Sequence, residues 1–173
     1  MSCSTAPRVY LGNGTPKREG AFAGTLTFLQ NFRFAALVDF KGGYKKLDGL
    51  HRVRCHLFNE CRVNFFPQEF DPIYVAQVQS GTSLIDDLIR DASFTRLREL
   101  SLTYTLPERW ARAVRGSRAS VTVAGRNLHT WTDWPGIDPE ASFNGGTRGN
   151  YAQWEQNVIP PLTSFQTTFN VSF

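Results

Sequence analysis

The sequence predicts an all-β fold of about five antiparallel strands, forming the last part of a transmembrane β-barrel, an incomplete barrel with two long outer loops. Three observations lead to this prediction. Segments of about ten residues alternate apolar and polar side chains, the connections between them alternate between short and long, and the chain ends on such a segment. The 173 residues are enough for one ordinary domain, so we treat 1–173 as one portion of a barrel.

The period-two alternation of a strand with two different faces is clear from the first segment onward. Phe22, Leu26 and Phe28 share one side of it, whereas Thr25 and Thr27 lie on the other. A tight connection around residues 30–31 then leads into a second alternating segment, which is typical of a β-hairpin. Five segments show the pattern, at 20–30, 32–42, 97–106, 119–128 and 163–173.

The connections between these segments favour a barrel. They run short, long, short, long: a tight turn, then 42–93, then 107–118, then 129–161. Outer-membrane barrels have short periplasmic turns and long outer loops, and strands of about 9–11 residues cross a bilayer at a tilt. The pattern therefore places both short turns in the periplasm. A soluble β-sandwich also alternates along each strand, so the alternation alone leaves that alternative open.

Composition excludes several other classes of protein. The formal charge is +4, and no apolar run reaches the roughly 18 residues of a membrane helix. The first twenty residues lack a basic segment followed by an apolar one, so we expect no signal peptide and no lipid anchor on Cys3. Motifs for phosphate loops, calcium loops and local catalytic triads are absent from the sequence, which predicts no enzyme activity, cofactor or metal.

Several ordered motifs resemble the C-terminal end of SusC/RagA-type TonB-linked outer-membrane proteins. They are Ser-Phe-x-Arg-Leu-Arg at 93–98, Tyr-Thr-Leu-Pro at 104–107, Gly-x-Asn-Leu at 125–128, Thr130 with Trp131, and Gly-x-Asp-Pro-Glu at 136–140. The segment before the first strand is similar less specifically. The resemblance implies a nutrient importer for glycans or oligopeptides, part of a 22-strand barrel in the bacterial outer membrane. The chain has no room for the family's plug domain, so we expect a fragment that does not function alone.

The resemblance also implies partners and a role for the chain terminus. Phe169, Val171 and Phe173 resemble the outer-membrane sorting signal that the barrel-assembly machinery reads by adding the last strand to an open sheet edge. Outer-membrane lipid is the expected surrounding. A SusD-like surface lipoprotein and TonB are expected only for the full-length relative, and no nucleic acid is expected.

Two other patterns have competing interpretations. Cys55 and Cys61 could belong to a zinc site with His51 and His56, but the spacing is unusual. A disulfide in an oxidising outer loop is favoured, and two free cysteines are the remaining alternative. Cys3 is then left unpaired. Arginines recur every third residue in the 107–118 connection, which predicts one basic stripe on a short helix. We interpret it as a solvated turn that could touch lipid phosphates rather than as a nucleic-acid patch.

The loop 129–161 carries three tryptophans and a tyrosine beside carboxylates, an arrangement that can contact a sugar ring. Packing of the loop is the alternative interpretation. The second function hypothesis uses this loop, in a soluble β-sandwich that binds carbohydrate. The possible ligand-contacting aromatics are Trp131, Trp134, Tyr151 and Trp154. The two hypotheses differ in whether lipid or a protein core covers one set of side chains: Phe22, Phe28, Phe34, Phe40, Leu102, Phe165 and Phe169.

Overall fold

The computed structural model describes residues 7, 9–81, 86–142, 154–156 and 158–173. The chain divides into two compact units, and each is described by itself. The sheet unit comprises Arg18–Lys41, Phe94–Thr132 and Pro161–Phe173. The loop unit comprises Met1–Lys17, Gly42–Ser93 and Asp133–Pro160.

The strands are numbered along the whole chain. They are β1 Arg18–Phe28, β2 Phe32–Gly42, β3 Lys45–Asp48, β4 Ile89–Asp91, β5 Phe94–Thr105, β6 Arg118–Thr132, β7 Trp154–Glu155 and β8 Ser164–Ser172. The α-helices are α1 Gly49–His51, α2 Arg62–Phe65, α3 Pro72–Gln79 and α4 Glu108–Ala113. A π-helical turn spans Arg52–Leu57, and 3₁₀ turns span Pro67–Glu69 and Asp86–Leu88. No helix in the described part of the chain combines the length and the apolar character needed to cross a membrane.

The sheet unit is a five-stranded sheet in the order β1-β2-β5-β6-β8. All five predicted strands are confirmed, although β5 and β6 start earlier or end later than their alternation indicated. An irregularity between β5 and β6 explains the difference. Leu37 pairs with Glu99 and Val38 with Leu97, so Arg98 is an extra residue and the alternation of β5 changes phase there, while β6 has two extra residues, 127 and 128, at the same level. Asn127 sits in β6 at φ 51°, where the extra residues are accommodated.

The hairpin between β1 and β2 is also confirmed. Its turn places Leu29 at φ 48° and Gln30 at φ 60°. Two consecutive residues with positive φ are the signature of the turn type whose twist matches that of paired strands. Neither residue is Gly or Asn, the usual choice for this turn.

The loop unit has secondary structure where the sequence predicted only long loops. Its small sheet has the order β4-β3-β7, with β3 antiparallel to β4 and parallel to β7. One buried cluster joins Tyr44, Ala92 and Trp134. A second cluster forms around Cys55, Val63 and Val78, within the helical segment. These elements are two to eight residues long, which is too short for a periodic pattern to emerge.

Candidate functional site

The main candidate surface is one side of the five-stranded sheet, which we call the apolar face. Strand register brings its members into rows across the sheet. Phe34 lies opposite Leu102, which lies opposite Val123. These side chains are exposed, as are Phe22 at 73%, Phe165 at 77% and Phe169 at 73%. The apolar face comprises Phe22, Leu26, Phe34, Phe40, Leu102, Val123, Trp131, Phe165 and Phe169.

Aromatic side chains lie toward both ends of the apolar face. At the end with the short turns, the Phe32 ring stacks between those of Phe28 and Tyr104, with centroids 5.5 and 4.7 Å away. At the other end, Trp131 meets His129 edge-on at 4.6 Å. At about 3.3 Å per residue and the tilt of about 45° that is typical of barrel strands, the segment of β6 from Ala119 to Trp131 would span about 28 Å. This height matches the apolar core of a membrane.

The opposite side of the sheet is polar and forms cross-strand pairs. Arg98 donates two hydrogen bonds to one Asp39 oxygen, at 2.7 and 2.8 Å. Arg126 donates to Glu99 at 3.1 Å. Nearby, the hydroxyls of residues 103 and 122 lie 2.8 Å apart. A sheet with an exposed apolar side and a polar paired side fits a barrel wall between lipid and lumen. The predicted β-sandwich alternative would require a second sheet over the apolar side.

The predicted sorting signal lies on the last strand, β8. This strand pairs with β6 on one side and lies at the edge of the sheet. Phe169 is opposite Val121 and Val171 is opposite Ala119, so both belong on the apolar side. Phe173 follows the strand with 89% of its surface exposed. No observation tests whether an assembly factor reads these residues, so their role stays a prediction.

The Gly-x-Asn-Leu motif at 125–128 has a structural explanation. Asn127 adopts a left-handed conformation, donates from its side-chain amide to the Leu162 carbonyl at 3.3 Å, and accepts at its own carbonyl from the Thr163 hydroxyl at 2.8 Å. A side chain at Gly125 would meet the Phe165 ring and Leu128. The motif therefore fixes the start of β8 against β6.

The Gly-x-Asp-Pro-Glu motif organises the loop unit around a buried carboxylate. Glu155 is fully buried and accepts hydrogen bonds from the Trp134 indole at 2.8 Å and the Ile137 backbone N–H at 3.0 Å. Burial raises the pKa of Glu155, and the two hydrogen bonds oppose that rise. A Cβ on Gly136 would overlap the Glu155 carboxylate and the Trp134 indole, so only glycine fits there.

A buried lysine holds the same motif on strand β3. Lys46 is 2% exposed and its ammonium group donates to the Pro139 carbonyl at 3.0 Å and to the Ala141 carbonyl. The Tyr44 hydroxyl donates to the same Pro139 carbonyl at 3.1 Å. Sequence reasoning missed Lys46 and Glu155, because isolated charged residues in a predicted loop give no signal of burial.

The structure describes three of the four predicted ligand-contacting aromatics of the loop 129–161. Trp131 lies within strand β6 and is half-exposed on the apolar face. Trp134 is 5% exposed, its indole N–H donates to Glu155, and it belongs to a buried cluster of the loop unit; its contact with a ligand stays a prediction. Trp154 is half-buried in β7 beneath the Arg52 guanidinium, which lies 5.4 Å from its ring centroid. Tyr151 lies outside the described residues, as does Cys3.

The cysteines and histidines fall in the helical segment of the loop unit. Cys55 and Cys61 form a disulfide, with their Cα atoms 4.9 Å apart. His51 contacts the Tyr74 hydroxyl at 2.9 Å, and burial lowers the pKa of His51. His56 is buried between the Gly81 carbonyl and a carboxylate. Among the described residues, no three or more His, Cys, Asp or Glu side chains are arranged to hold a metal ion.

A cleft of about 100 Å³ opens beside the disulfide, lined by Asp48, His51, Arg54 and Gly136 among others. Its size suits a few water molecules rather than a nutrient. The predicted arginine stripe is only partly helical. Arg109 and Arg112 lie in α4, whereas Arg115 is at φ 59° and Arg118 begins β6.

Comparison with known proteins identifies relatives of the chain. No model of a protein family matches it. TonB-dependent receptor P3 of Formosa agariphila is 42% identical over 88 residues, which are 49% of this chain and 9% of P3. TonB-dependent receptor P26 of the same organism is 27% identical over 183 residues, which cover 98% of this chain and 18% of P26. The chain thus spans less than a fifth of the length of either receptor.

Solved structures of a peptide importer have the same fold. The RagAB peptide importer in its open-open state matches with a TM-score of 0.69 and 24% identity, over 92% of this chain and 17% of that one. In the closed-closed state the TM-score is 0.67 at 23% identity, over 98% and 18% of the two chains. These identities support the fold alone. Sequence relatives and fold agree: the chain is similar to a part of TonB-dependent receptors, and it has the fold of a part of the RagAB importer.

Proposed function

We propose that residues 1–173 are the C-terminal portion of the barrel of a TonB-dependent importer in the bacterial outer membrane. This proposal rests on the exposed apolar face of the sheet, because the opposite side of the same sheet is polar and ion-paired. In water such a face is costly, at about 25 cal/mol for each Å² of apolar surface. Against lipid it is stabilising. The sheet unit would then be a section of barrel wall, and the loop unit would lie outside the cell.

The intact receptor would import an oligopeptide or a glycan, without enzymatic chemistry. Its structural relatives are named as a peptide importer, which supports this class of cargo. A SusD-like surface lipoprotein and TonB would act with the intact receptor. We infer that the chain alone does not transport, because β1 and β8 are edges of the described sheet and a transport path needs a closed wall. In a bilayer these edges would have to pair with further strands or with other copies of the chain.

Two residue-level roles belong to this proposal. The end of the chain would be the sorting signal, in which Phe169, Val171 and Phe173 present apolar side chains to the barrel-assembly machinery. The disulfide between Cys55 and Cys61 would stabilise an outer loop in an oxidising compartment.

Fluorescence quenching by brominated lipid tests the membrane proposal. The 173-residue chain is refolded into phosphatidylcholine vesicles whose acyl chains carry bromine, which quenches tryptophan on contact. Quenching should fall in the Trp131→Phe variant, because Trp131 lies on the apolar face. It should persist in the matched Trp134→Phe variant, because Trp134 is buried in the loop unit. A chain that is a soluble monomer without detergent, or equal quenching in both variants, would overturn the proposal.

A further inference from the structure

The connection between β5 and β6 is the most basic short segment of the sheet unit. We call residues 107–118 the basic turn. It contains Arg109, Arg112, Arg115 and Arg118, with Glu108 as its sole acidic residue. The turn lies at the same end of the sheet as the β1–β2 hairpin and the end of β8. Nothing in the importer activity proposed above requires this charge.

The basic turn is a folded element that is attached to the last strand. Ala111 is fully buried, and its carbonyl accepts from the Gly116 N–H at 2.9 Å. The Ser117 N–H donates to the Ser172 carbonyl at 2.7 Å. A Cβ on Gly116 would lie 2.7 Å from Val171 and 2.9 Å from the Ser172 carbonyl oxygen. The arginines are therefore held at a defined height at the end of the apolar face.

Apolar side chains are exposed among these arginines. Trp110 is 57% exposed and Val114 is 54% exposed, although the same turn buries Ala111 completely. Beyond the turn, Phe173 is 89% exposed. Tryptophan with an exposed apolar body and a polar N–H is typical of the level where lipid headgroups meet acyl chains.

The arginine charge has little compensation within the protein. Glu108 lies 3.6 Å from Arg112, but both side chains are more than 70% exposed, so this pair contributes little. Within the described residues, no carboxylate lies at ion-pair distance from Arg109, Arg115 or Arg118. A planar guanidinium binds phosphate oxygens with two parallel hydrogen bonds, and several guanidiniums beside an apolar ring match a phosphate attached to acyl chains.

We propose that the basic turn binds the phosphate headgroups of anionic glycerophospholipids at the membrane surface on the short-turn side of the sheet. Trp110 and Val114 would contact the upper acyl chains, and Arg109, Arg112 and Arg115 would contact the phosphates. This inference rests on the membrane location proposed above. It adds a lipid class and a side of the membrane, and it predicts that anionic lipid anchors the end of the last strand.

Flotation with vesicles of two compositions tests this proposal. The chain is refolded with phosphatidylcholine vesicles and with vesicles in which about a third of the lipid is phosphatidylglycerol. The wild-type chain should bind the anionic vesicles more tightly. A variant with Arg109→Gln, Arg112→Gln and Arg115→Gln should lose most of that preference. Each basic residue near an anionic surface strengthens binding about fivefold, and salt screening reduces this effect. We therefore expect the triple variant to bind anionic vesicles about tenfold more weakly, or weaker still.

Matched controls distinguish binding at the basic turn from a general effect of net positive charge. Lys17→Gln, Arg18→Gln and Arg54→Gln together remove the same charge from three exposed positions elsewhere, and should leave the preference intact. Arg→Lys at the three turn positions should retain most of it. Trp110→Ala should weaken binding to both kinds of vesicle. Circular dichroism checks that each variant keeps its strand content.

Each outcome decides between the two proposals. A chain that floats with neither kind of vesicle contradicts the barrel proposal itself. A chain that floats equally with both kinds, or a triple glutamine variant that keeps the full preference, refutes only the lipid site. Competition by inorganic phosphate at millimolar concentration would instead assign the arginines to free phosphate, and would also refute the lipid site.

Discussion

Replacement of Val123 by arginine is the sharpest perturbation of the apolar face. Val123 lies near the middle of β6, opposite Leu102 on one neighbour and Thr167 on the other, and is 52% exposed. An arginine on the lipid side of a barrel costs about 2–4 kcal/mol at the middle of the bilayer. We therefore expect Val123→Arg to lower the free energy of unfolding by about 3 kcal/mol in phosphatidylcholine vesicles, or about a hundredfold in the folding equilibrium.

The matched control lies on the next strand and on the other face. Gln166 is exposed, pairs with Ala124, and points to the polar side of the sheet. We expect Gln166→Arg to change the free energy of unfolding by less than about 0.5 kcal/mol, as for other surface substitutions. Urea unfolding in vesicles, followed by tryptophan fluorescence, measures both variants against the wild-type chain.

Two results would refute the assignment of the apolar face to lipid. If both variants change stability by less than about 0.5 kcal/mol, the apolar face is in water, as ordinary surface positions are. If Gln166→Arg is the more costly of the two, the assignment of the two faces is reversed. Either result would remove the main support for a barrel wall, whatever the sequence relatives suggest.

The loop unit yields three further predictions. Because burial raises the pKa of Glu155, the folded state binds the proton of this carboxyl group more tightly than the unfolded state does. The free energy of unfolding therefore falls as the pH rises from 4.5 through the raised pKa. Glu155→Gln should flatten this fall, as measured by thermal unfolding at several pH values. Replacing Cys55 and Cys61 by serine should lower the free energy of unfolding by about 2 kcal/mol, a modest loss because the disulfide closes only a short loop. Trypsin should then cleave residues 52–79 faster than in the wild-type chain. Gly136→Ala should lower the free energy of unfolding, measured by calorimetry, by more than about 2 kcal/mol, because the added Cβ has no space. Gly24→Ala is the control and should be nearly neutral, because a Cβ there meets nothing within 4 Å.

The sheet unit was largely predictable because its physical signal is local. In a strand, residues two apart share a face, so Phe22 and Leu26 reveal β1 without knowledge of any partner. The signal fails where the backbone departs from regular pleating. Around Leu97 the phase of alternation shifts, and at Asn127 the backbone leaves the regular strand conformation, so both strands continue past the ends that alternation predicts.

The loop unit was not predictable in the same way, because its stabilising contacts are non-local. Glu155 is buried only because Trp134 and the Ile137 backbone supply donors from another part of the chain. Its elements are too short to show a period, and a buried Lys46 contradicts the usual placement of lysine. The loop motif at 136–140 was recognisable as a pattern, yet its meaning as a hydrogen-bonded core required coordinates.

The sequence by itself predicted the class of the protein, from alternating strands, short and long connections, an aromatic terminus and a set of ordered motifs that resemble one family. Only the tertiary structure decided which side chains act together. It placed Trp131 on the apolar face and Trp134 in a core, and it attached the basic turn to the end of β8. The reason is that periodicity reports the face of a strand, whereas burial depends on chain segments that are distant in sequence.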